Sequence, residues 1–220
     1  MQIELPRGGQ RVRPGKLVCV GRNYALHAAE MKSEVPSEPL LFLKPSSALI
    51  GSGQDVVIPA MTTEVHHEVE IVLVIGERVH RVPQSEALQA VEGIALGLDM
   101  TARDIQAAAK KSGQPWSVAK GFDTFAPLGG IVARSEIADL SALNIELRRN
   151  GEVVQSGNTR DMIFSPALLV HYISQIFTLE PGDLIYTGTP DGVGPVSPGD
   201  RLVARADGLP DLSVAVRAAP

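Results

Sequence analysis

The sequence contains a single cysteine, no run of basic residues and no apolar stretch long enough to cross a bilayer. Cys19 can form no internal disulfide, which is typical of a reducing compartment, and its place in the apolar run LVCVG favours a small buried side chain. The net charge of −5 argues against nucleic acid or an anionic membrane as the main partner. The first ten residues lack the apolar core of a signal peptide, so we expect a soluble cytoplasmic protein.

The overall composition is that of an ordered globular chain. Hydrophobic residues make up 44% and charged residues 20% of the 220 positions, which is enough for one sizeable core. Prolines and glycines crowd residues 1–16, so we expect a lead-in or small hairpin there and a single domain over residues 17–220. Predicted strands outnumber helices without a regular βαβα alternation. The expected fold class is therefore α+β with a β-rich core.

Several local patterns predict individual elements. The Asn150-Gly151 pair in LNIELRRNGEVVQSG predicts a β-hairpin, and Ser165 is a suitable N-cap for a helix over SPALLVHYISQIFTL. Thr101 and Asp104 resemble a capping box at the start of the helix TARDIQAAAKKSG. Ser85 predicts a further short helix in SEALQAVEG.

The stretch HHEVEIVLVIG, residues 66–76, places two carboxylates at the entrance to a core. With a strand period of two, Glu68 and Glu70 share a face that continues as Val72 and Val74. Two ionised carboxylates between solvent and an apolar core repel each other and are costly to bury. A divalent cation bound between them removes both problems. The alternative is the solvated face of an antiparallel strand, which this strand alone would favour.

Asp99 is a third carboxylate, at the end of the apolar strand GIALGLD. It could equally cap the helix that follows. Three carboxylates without a nearby cysteine describe an oxygen site that suits Mg²⁺ or Mn²⁺, with Ca²⁺ as a third option. His66 lies on the face of the glutamates and is interpreted as a supporting histidine, whereas His67 points the other way and is expected in the core.

Seven ordered segments together resemble one family. They are VGRNYALHAAEM, LFLKPSSA, VHHEVEIVLVIG, GLDMTARDIQ, AKGFDTFAPLG, NTRDMIFS and IYTGTPDGVGP. The chain from about Leu17 onward is similar to the fumarylacetoacetate hydrolase family in its short form, and most similar to acylpyruvate and fumarylpyruvate hydrolases, a subgroup that overlaps with oxaloacetate decarboxylases and tautomerases. The resemblance implies a mixed β-sandwich roll, a homodimer, and Mg²⁺ or Mn²⁺ bound by Glu68, Glu70 and Asp99.

His27 and Glu30 are three residues apart in HAAE and would face the same way on a helical turn. The spacing alone favours a surface pair, but the resemblance implies a catalytic dyad in which Glu30 orients His27. The surrounding segment, residues 23–34, is expected to be a short helix or a mobile loop that closes over a ligand. The resemblance also implies that Lys120 stabilises developing negative charge, although AKGFD alone would favour a solvated lysine.

Candidate substrate contacts come from the end of LVCVG, from the helix after Asp99 and from the TGTP turn. They are Arg22, Asn23, Arg103, Gln106, Gly188 and Thr189. Arginine is a natural clamp for a carboxylate, but Arg103 could also pair with a surface acid, and TGTP could be a plain turn. Tyr24 and Lys44 are weaker candidates, and Phe42 and Trp116 are expected in the core or the pocket wall.

These residues predict a metal-dependent hydrolase that cleaves the C–C bond of 2,4-diketo acids, such as fumarylpyruvate or acetylpyruvate, to pyruvate and a carboxylic acid. The alternative is an oxaloacetate decarboxylase or tautomerase that uses the same electron-sink chemistry. A third interpretation is a binding protein that keeps the fold without turnover, against which the complete set of metal, dyad and lysine candidates argues.

Overall fold

The computed structural model describes residues 1–30 and 35–220. The strands in these ranges are β1 (Ile3–Glu4), β2 (Arg11–Val12), β3 (Leu17–Gly21), β4 (Leu40–Lys44), β5 (Leu49–Gly51), β6 (Asp55–Ile58), β7 (Val65–His67), β8 (Val69–Ile75), β9 (Val91–Leu98), β10 (Thr101–Ala102), β11 (Ala126–Leu128), β12 (Val132–Ala133), β13 (Asn144–Arg149), β14 (Glu152–Asn158), β15 (Leu184–Tyr186), β16 (Gly194–Val196), β17 (Arg201–Ala206) and β18 (Leu212–Ala218). The α-helices are α1 (Ala25–Glu30), α2 (Arg103–Lys111), α3 (Ser117–Lys120) and α4 (Pro166–Ile176).

The largest sheet has eight strands in the described residues, in the order β4-β3-β15-β8-β9-β11-β5, with β12 also paired to β9. Strands β15 and β3 pair in parallel, as do β11 and β5, while β8 and β9 are antiparallel. Every residue of β8 is buried because this strand lies between two others and is covered on both faces. That is why VEIVLVI is almost continuously apolar and Glu70 stands out within it.

The two faces of the large sheet belong to two cores. Leu17, Cys19, Val72 and Tyr186 project from one face and pack against one another, which requires the sheet to curl around them. The opposite face packs on helix α4 and on a five-stranded sheet in the order β14-β13-β17-β18-β6. The predicted α+β class and mixed β-sandwich roll are confirmed.

Several local predictions are also confirmed. Asn150 and Gly151 have φ angles of 56° and 91°, as a tight hairpin turn between β13 and β14 requires. The Ser165 side chain accepts a hydrogen bond from the backbone N–H of Leu168 at the start of α4. Residues 1–16 contain the hairpin of β1 and β2.

Two capping predictions are wrong. Ser85 starts no α-helix: residues Ala87–Ala90 form a 3₁₀ turn, and the chain enters β9 at Val91. Thr101 lies in β10 and donates its hydroxyl to the carbonyl of Asp99, so it does not cap α2. Strand pairing overrides the local capping signal in both places.

The segment predicted as a helix or mobile loop, residues 23–34, contains α1 over Ala25–Glu30. Its last four positions, 31–34, lie outside the described residues. In the part of the chain that is described, no helix is long and apolar enough to cross a bilayer.

Candidate metal and active site

Three buried carboxylates converge where β7, β8 and β9 end or begin. Glu68 occupies the break between β7 and β8, Glu70 is the second residue of β8, and Asp99 follows β9. The ladder pairs Val69 with Leu98, and the N–H of Asp99 donates to the carbonyl of Glu68 over 2.8 Å. Antiparallel pairing thereby brings residues about thirty positions apart side by side.

The carboxylate cluster of Glu68, Glu70 and Asp99 has the composition of a site for a hard cation. One oxygen from each residue lies within 4.8 Å of the others, and the residues are 6%, 1% and 1% exposed. Carboxylate oxygens are the ligands that Mg²⁺, Mn²⁺ and Ca²⁺ prefer. These three residues could therefore hold a divalent ion.

Glu68 is paired with two cations. Arg103 Nη2 lies 2.6 Å from one of its carboxylate oxygens, and Lys120 Nζ lies 2.8 Å from the other. Burial alone would raise the pKa of Glu68, but Lys120 and Arg103 outweigh burial and hold that pKa below its usual range. Lys120 also donates to Asp99 Oδ2 over 2.6 Å, so its ammonium links two members of the cluster.

No cationic side chain among residues 1–30 and 35–220 forms an ion pair with Glu70. Its Oε2 accepts a hydrogen bond of 2.7 Å from the backbone N–H of Gly188. Burial, followed by repulsion from Asp99 and Glu68, raises the pKa of Glu70 well above its usual value. A further positive charge bound within the cluster would offset this repulsion and lower the pKa of Glu70 again.

Lys44, a weaker candidate in the sequence, is a fully buried support of the cluster. Its ammonium donates to the carbonyls of Met100, Lys120 and Phe125 over 2.6 to 3.0 Å. The nitrogen also lies 2.7 Å from Asp99 Oδ1 and forms a buried ion pair with it, although no described residue donates a well-aligned hydrogen bond to that oxygen. Lys44 therefore neutralises part of the charge of the cluster as well as holding the backbone around it.

His27 and Glu30, the predicted dyad, lie together on α1. His27 Nδ1 is 3.2 Å from Glu30 Oε2, and His27 is 5% exposed. The other Glu30 oxygen accepts from the backbone N–H of Gly192 over 3.2 Å, which attaches α1 to the loop after β15. His27 lines the same pocket as the carboxylate cluster.

Most of the predicted substrate contacts also line this pocket, namely Arg22, Arg103, Gln106 and Thr189. Asn23 does not: it is fully buried, and its amide bonds the backbones of Phe164 and Thr187. The N–H of Gly188 is engaged by Glu70. Asn23 and Gly188 are not among the residues that line this pocket, and the polar groups named here bond other parts of the protein, so their role as substrate contacts stays a prediction.

Phe42 and Trp116 form an apolar part of the pocket wall, with their ring centres 5.7 Å apart. Lys110, which the sequence did not single out, lines the opening beside Trp116. These side chains surround a partly open cavity of about 30 Å³, which is large enough to admit water or a small ligand group above the carboxylates.

Gln155, also missed in the sequence, connects the second sheet to the site. Its Oε1 accepts from the N–H of Val69 and contacts His67 Nδ1, both over 3.0 Å, and its Nε2 donates to the Thr189 hydroxyl over 2.8 Å. His67 is in the core, as predicted, and His66 pairs with Glu64, away from the cluster. A single polar residue in the strand EVVQSGN gives no signal of this long-range role.

The model of the Fumarylacetoacetate (FAA) hydrolase C-terminal family matches residues 16–217. The chain belongs to this family. It is 48% identical over 200 residues to the mitochondrial oxaloacetate tautomerase FAHD1 of Homo sapiens, covering 91% of this chain and 90% of that protein. The corresponding Arabidopsis thaliana protein is 49% identical over 197 residues, covering 90% and 88%. The structure of fumarylpyruvate hydrolase from Pseudomonas aeruginosa in complex with Mn²⁺ and pyruvate superposes with a TM-score of 0.93 at 38% identity, covering 100% of this chain and 96% of that one.

Proposed function

We propose that this protein is a divalent-cation-dependent enzyme that interconverts the keto and enol forms of a small 2-oxo acid, with oxaloacetate as the first candidate. The observation that carries the proposal is the shared pocket, which is lined by His27, the partner of Glu30, and by the three buried carboxylates. A Mg²⁺ or Mn²⁺ ion held by Glu68, Glu70 and Asp99 would supply Lewis acidity toward the 2-oxo group.

The residues of the chain account for the proton movement. With Nδ1 against Glu30, His27 presents Nε2 to take a proton from C3 of the oxo acid, and the Glu30 carboxylate stabilises the imidazolium. The C–H bond breaks, its electron pair forms the enol double bond, and the proton ends on the 2-oxo oxygen. Lys120 and Arg103 stabilise the negative charge that develops on that oxygen. The step needs no co-reactant.

Sequence identity favours oxaloacetate over a larger substrate. The relatives at 48% and 49% identity are named oxaloacetate tautomerases, whereas the fumarylpyruvate hydrolase is 38% identical.

Hydrolysis of acylpyruvates is the second candidate, favoured by the superposition on a fumarylpyruvate hydrolase with pyruvate bound. In this reaction His27 takes a proton from water, and the water oxygen attacks the distal carbonyl carbon. The C–C bond then breaks, pyruvate leaves as its enolate and is protonated at carbon, and the acyl group leaves as a carboxylic acid. Decarboxylation of oxaloacetate differs because it needs no activated water, so it should survive His27→Ala.

A substrate panel with metal-stripped and metal-restored protein tests the proposal. Oxaloacetate, acetylpyruvate and fumarylpyruvate are supplied with Mg²⁺, and ketonisation of enol oxaloacetate is followed by its ultraviolet absorbance. We expect metal-dependent ketonisation that Glu70→Ala abolishes and that His27→Asn slows by about a hundredfold or more. His80 is exposed and outside the pocket, so His80→Asn is the matched control.

Two results would contradict the proposal. One is full activity after chelation or in Glu70→Ala, which would remove the metal from the reaction. The other is hydrolysis of acylpyruvates without any effect on the ketonisation of oxaloacetate, which would make the second candidate the function.

We further propose a cytoplasmic homodimer that acts on free small molecules, without a nucleic-acid or membrane partner. The net charge of −5 supports the absence of polyanionic partners, and the family resemblance supports the dimer. Light scattering after size exclusion tests the dimer, and cell fractionation tests the location, since the named relatives are mitochondrial.

A further inference from the structure

Lys110 is a cationic side chain at the pocket opening that neither the metal site nor the His27–Glu30 pair uses. It is exposed near the C-terminal end of α2, and it lines the pocket. Its ammonium nitrogen lies 5.2 Å from the centre of the Trp116 ring. This cation–π contact holds a long, flexible side chain against the pocket wall.

Arg22 reaches the same pocket from the end of β3. Its φ angle is 59°, in the left-handed region that arginine rarely adopts, and such strain is often kept at functional sites. Within residues 1–30 and 35–220, neither Arg22 nor Lys110 forms an ion pair, whereas Arg103 and Lys120 are both paired with Glu68. Two cations at the opening are thus available to a ligand.

The charge around the pocket points to a ligand with more than one negative group. Four cationic side chains and three carboxylates line it, and a divalent ion would add two positive charges. Although Lys110 is exposed, desolvation beside the pocket wall, followed by repulsion from Arg103 and Arg22, lowers its pKa. A single carboxylate at the metal end would leave the repulsion between Arg22 and Lys110 unrelieved, whereas a second carboxylate between them would relieve it.

We propose that Lys110 and Arg22 form a subsite for the second carboxylate of a dicarboxylic 2-oxo acid. The inference rests on the proposed function, because it assumes that the 2-oxo acid end of the ligand binds at Glu68, Glu70 and Asp99. The subsite selects against oxo acids that carry a methyl group where oxaloacetate carries its second carboxylate. Trp116 positions Lys110 in this subsite.

Calorimetric titration of the Mn²⁺-loaded protein tests the subsite by binding alone. The probes are oxaloacetate and 2-oxobutanoate, which have the same chain length and differ by a carboxylate in place of a methyl group. We expect the wild type to prefer oxaloacetate, and Lys110→Met to reduce that preference by about tenfold or more, since a charge-assisted hydrogen bond is lost. Methionine keeps an apolar stem on Trp116, and Lys110→Arg should restore most of the preference.

Lys111→Met is the matched control, because it removes the same charge from the next residue of α2, which does not line the pocket. Equal losses for Lys110→Met and Lys111→Met would indicate a general electrostatic field and overturn the subsite. An unchanged preference in Lys110→Met would overturn it as well, while leaving the proposed function intact. A wild-type protein that binds Mn²⁺ but neither acid would overturn both proposals.

Discussion

Lys44 and Lys120 are two buried lysines that meet the same aspartate in different ways. The Lys44 ammonium donates hydrogen bonds to three backbone carbonyls, and these bonds hold the chain in place around the site. Lys120 instead donates to the carboxylates of Glu68 and Asp99. The first is a structural support, and the second is a charge that another cation could replace.

This difference predicts that Mg²⁺ will restore the stability of a Lys120 variant but not that of a Lys44 variant. Lys44→Met should lower the free energy of unfolding by about 3–5 kcal/mol, with or without Mg²⁺, because it leaves buried carbonyls and Asp99 without their partner. Lys120→Met should lose stability without metal and recover most of it with saturating Mg²⁺. Urea unfolding measures both, and the exposed Lys111→Met serves as the control. Recovery of Lys44→Met by Mg²⁺ would show that its role has been assigned wrongly.

The raised pKa of Glu70 predicts that metal binding releases a proton from this side chain. Its folded-state pKa is raised above the usual value of 4.5, so the metal-free protein retains a proton there as pH rises past that value. Because the folded state then binds more protons than the unfolded chain, metal-free stability falls with rising pH in this window, while metal affinity rises. Calorimetric titration of the ion just above pH 4.5, in two buffers of different ionisation enthalpy, should show that metal binding releases protons.

Glu70→Gln is the control for the proton, since a glutamine side chain has none to release. Metal binding by the wild type without proton release would mean that Glu70 is already ionised in the metal-free protein. The same release from Glu70→Gln would assign the proton to another group.

The sequence located the carboxylates better than the groups around them. Glu68 and Glu70 interrupt an apolar strand, and that contrast is visible in the residue order. Asn23 and Gly188 lie next to pocket residues in sequence, but their polar atoms are taken by the backbones of other segments and by Glu70. Which partner satisfies a buried polar atom depends on the folded neighbours, which spacing cannot supply.

Among the helices, strands and turns, sequence patterns correctly predicted those structures that depend only on residues close together in the chain. The Asn150-Gly151 turn depends on two backbone conformations, and its hairpin is confirmed. Ser85 carries an equally local signal, yet strand β9 and its pairing with β8 determine the structure after it. The short helix predicted there is limited to the 3₁₀ turn Ala87–Ala90 and is not capped by Ser85, because the chain enters the sheet at Val91.

Gln155 on β14 links three elements that shape the site. It bonds β7 through His67, the start of β8 through Val69, and the loop after β15 through Thr189. These contacts flank Glu68 at the break between β7 and β8. The second sheet therefore holds the metal side of the pocket in position.

Gln155→Leu should lower the free energy of unfolding by about 1–3 kcal/mol, because it leaves buried polar partners unsatisfied. It should also weaken Mg²⁺ binding, although Gln155 contacts no member of the carboxylate cluster, and calorimetry measures that loss. Exposed Gln89→Leu makes the same change outside the site and should alter neither quantity. A destabilised Gln155→Leu with unaltered Mg²⁺ affinity would limit this residue to a structural role.

At the scale of the whole molecule, the curled sheet brings distant segments to one place. Helix α1, strand β8, helix α3 and the loop after β15 contribute to a single pocket although they span residues 25 to 189. Sequence patterns predicted the segments, and the family resemblance predicted their assembly. The contribution of β14 from the second sheet was not predicted, because nothing in its alternating pattern marks the residue that crosses between the sheets.

Metal binding should also stabilise the whole fold. Because the carboxylate cluster joins β8, β9 and the break after β7, an ion that binds only the folded state should stabilise the entire molecule. At a Mg²⁺ or Mn²⁺ concentration about 100 times the dissociation constant, the free energy of unfolding should rise by about 2.7 kcal/mol. Urea unfolding across an ion titration measures this rise, which Glu70→Gln should reduce strongly and the exposed Glu152→Gln should leave intact. An equal rise in Glu70→Gln would place the stabilising ion elsewhere, whereas no rise in the wild type would mean that the cluster binds no such ion tightly.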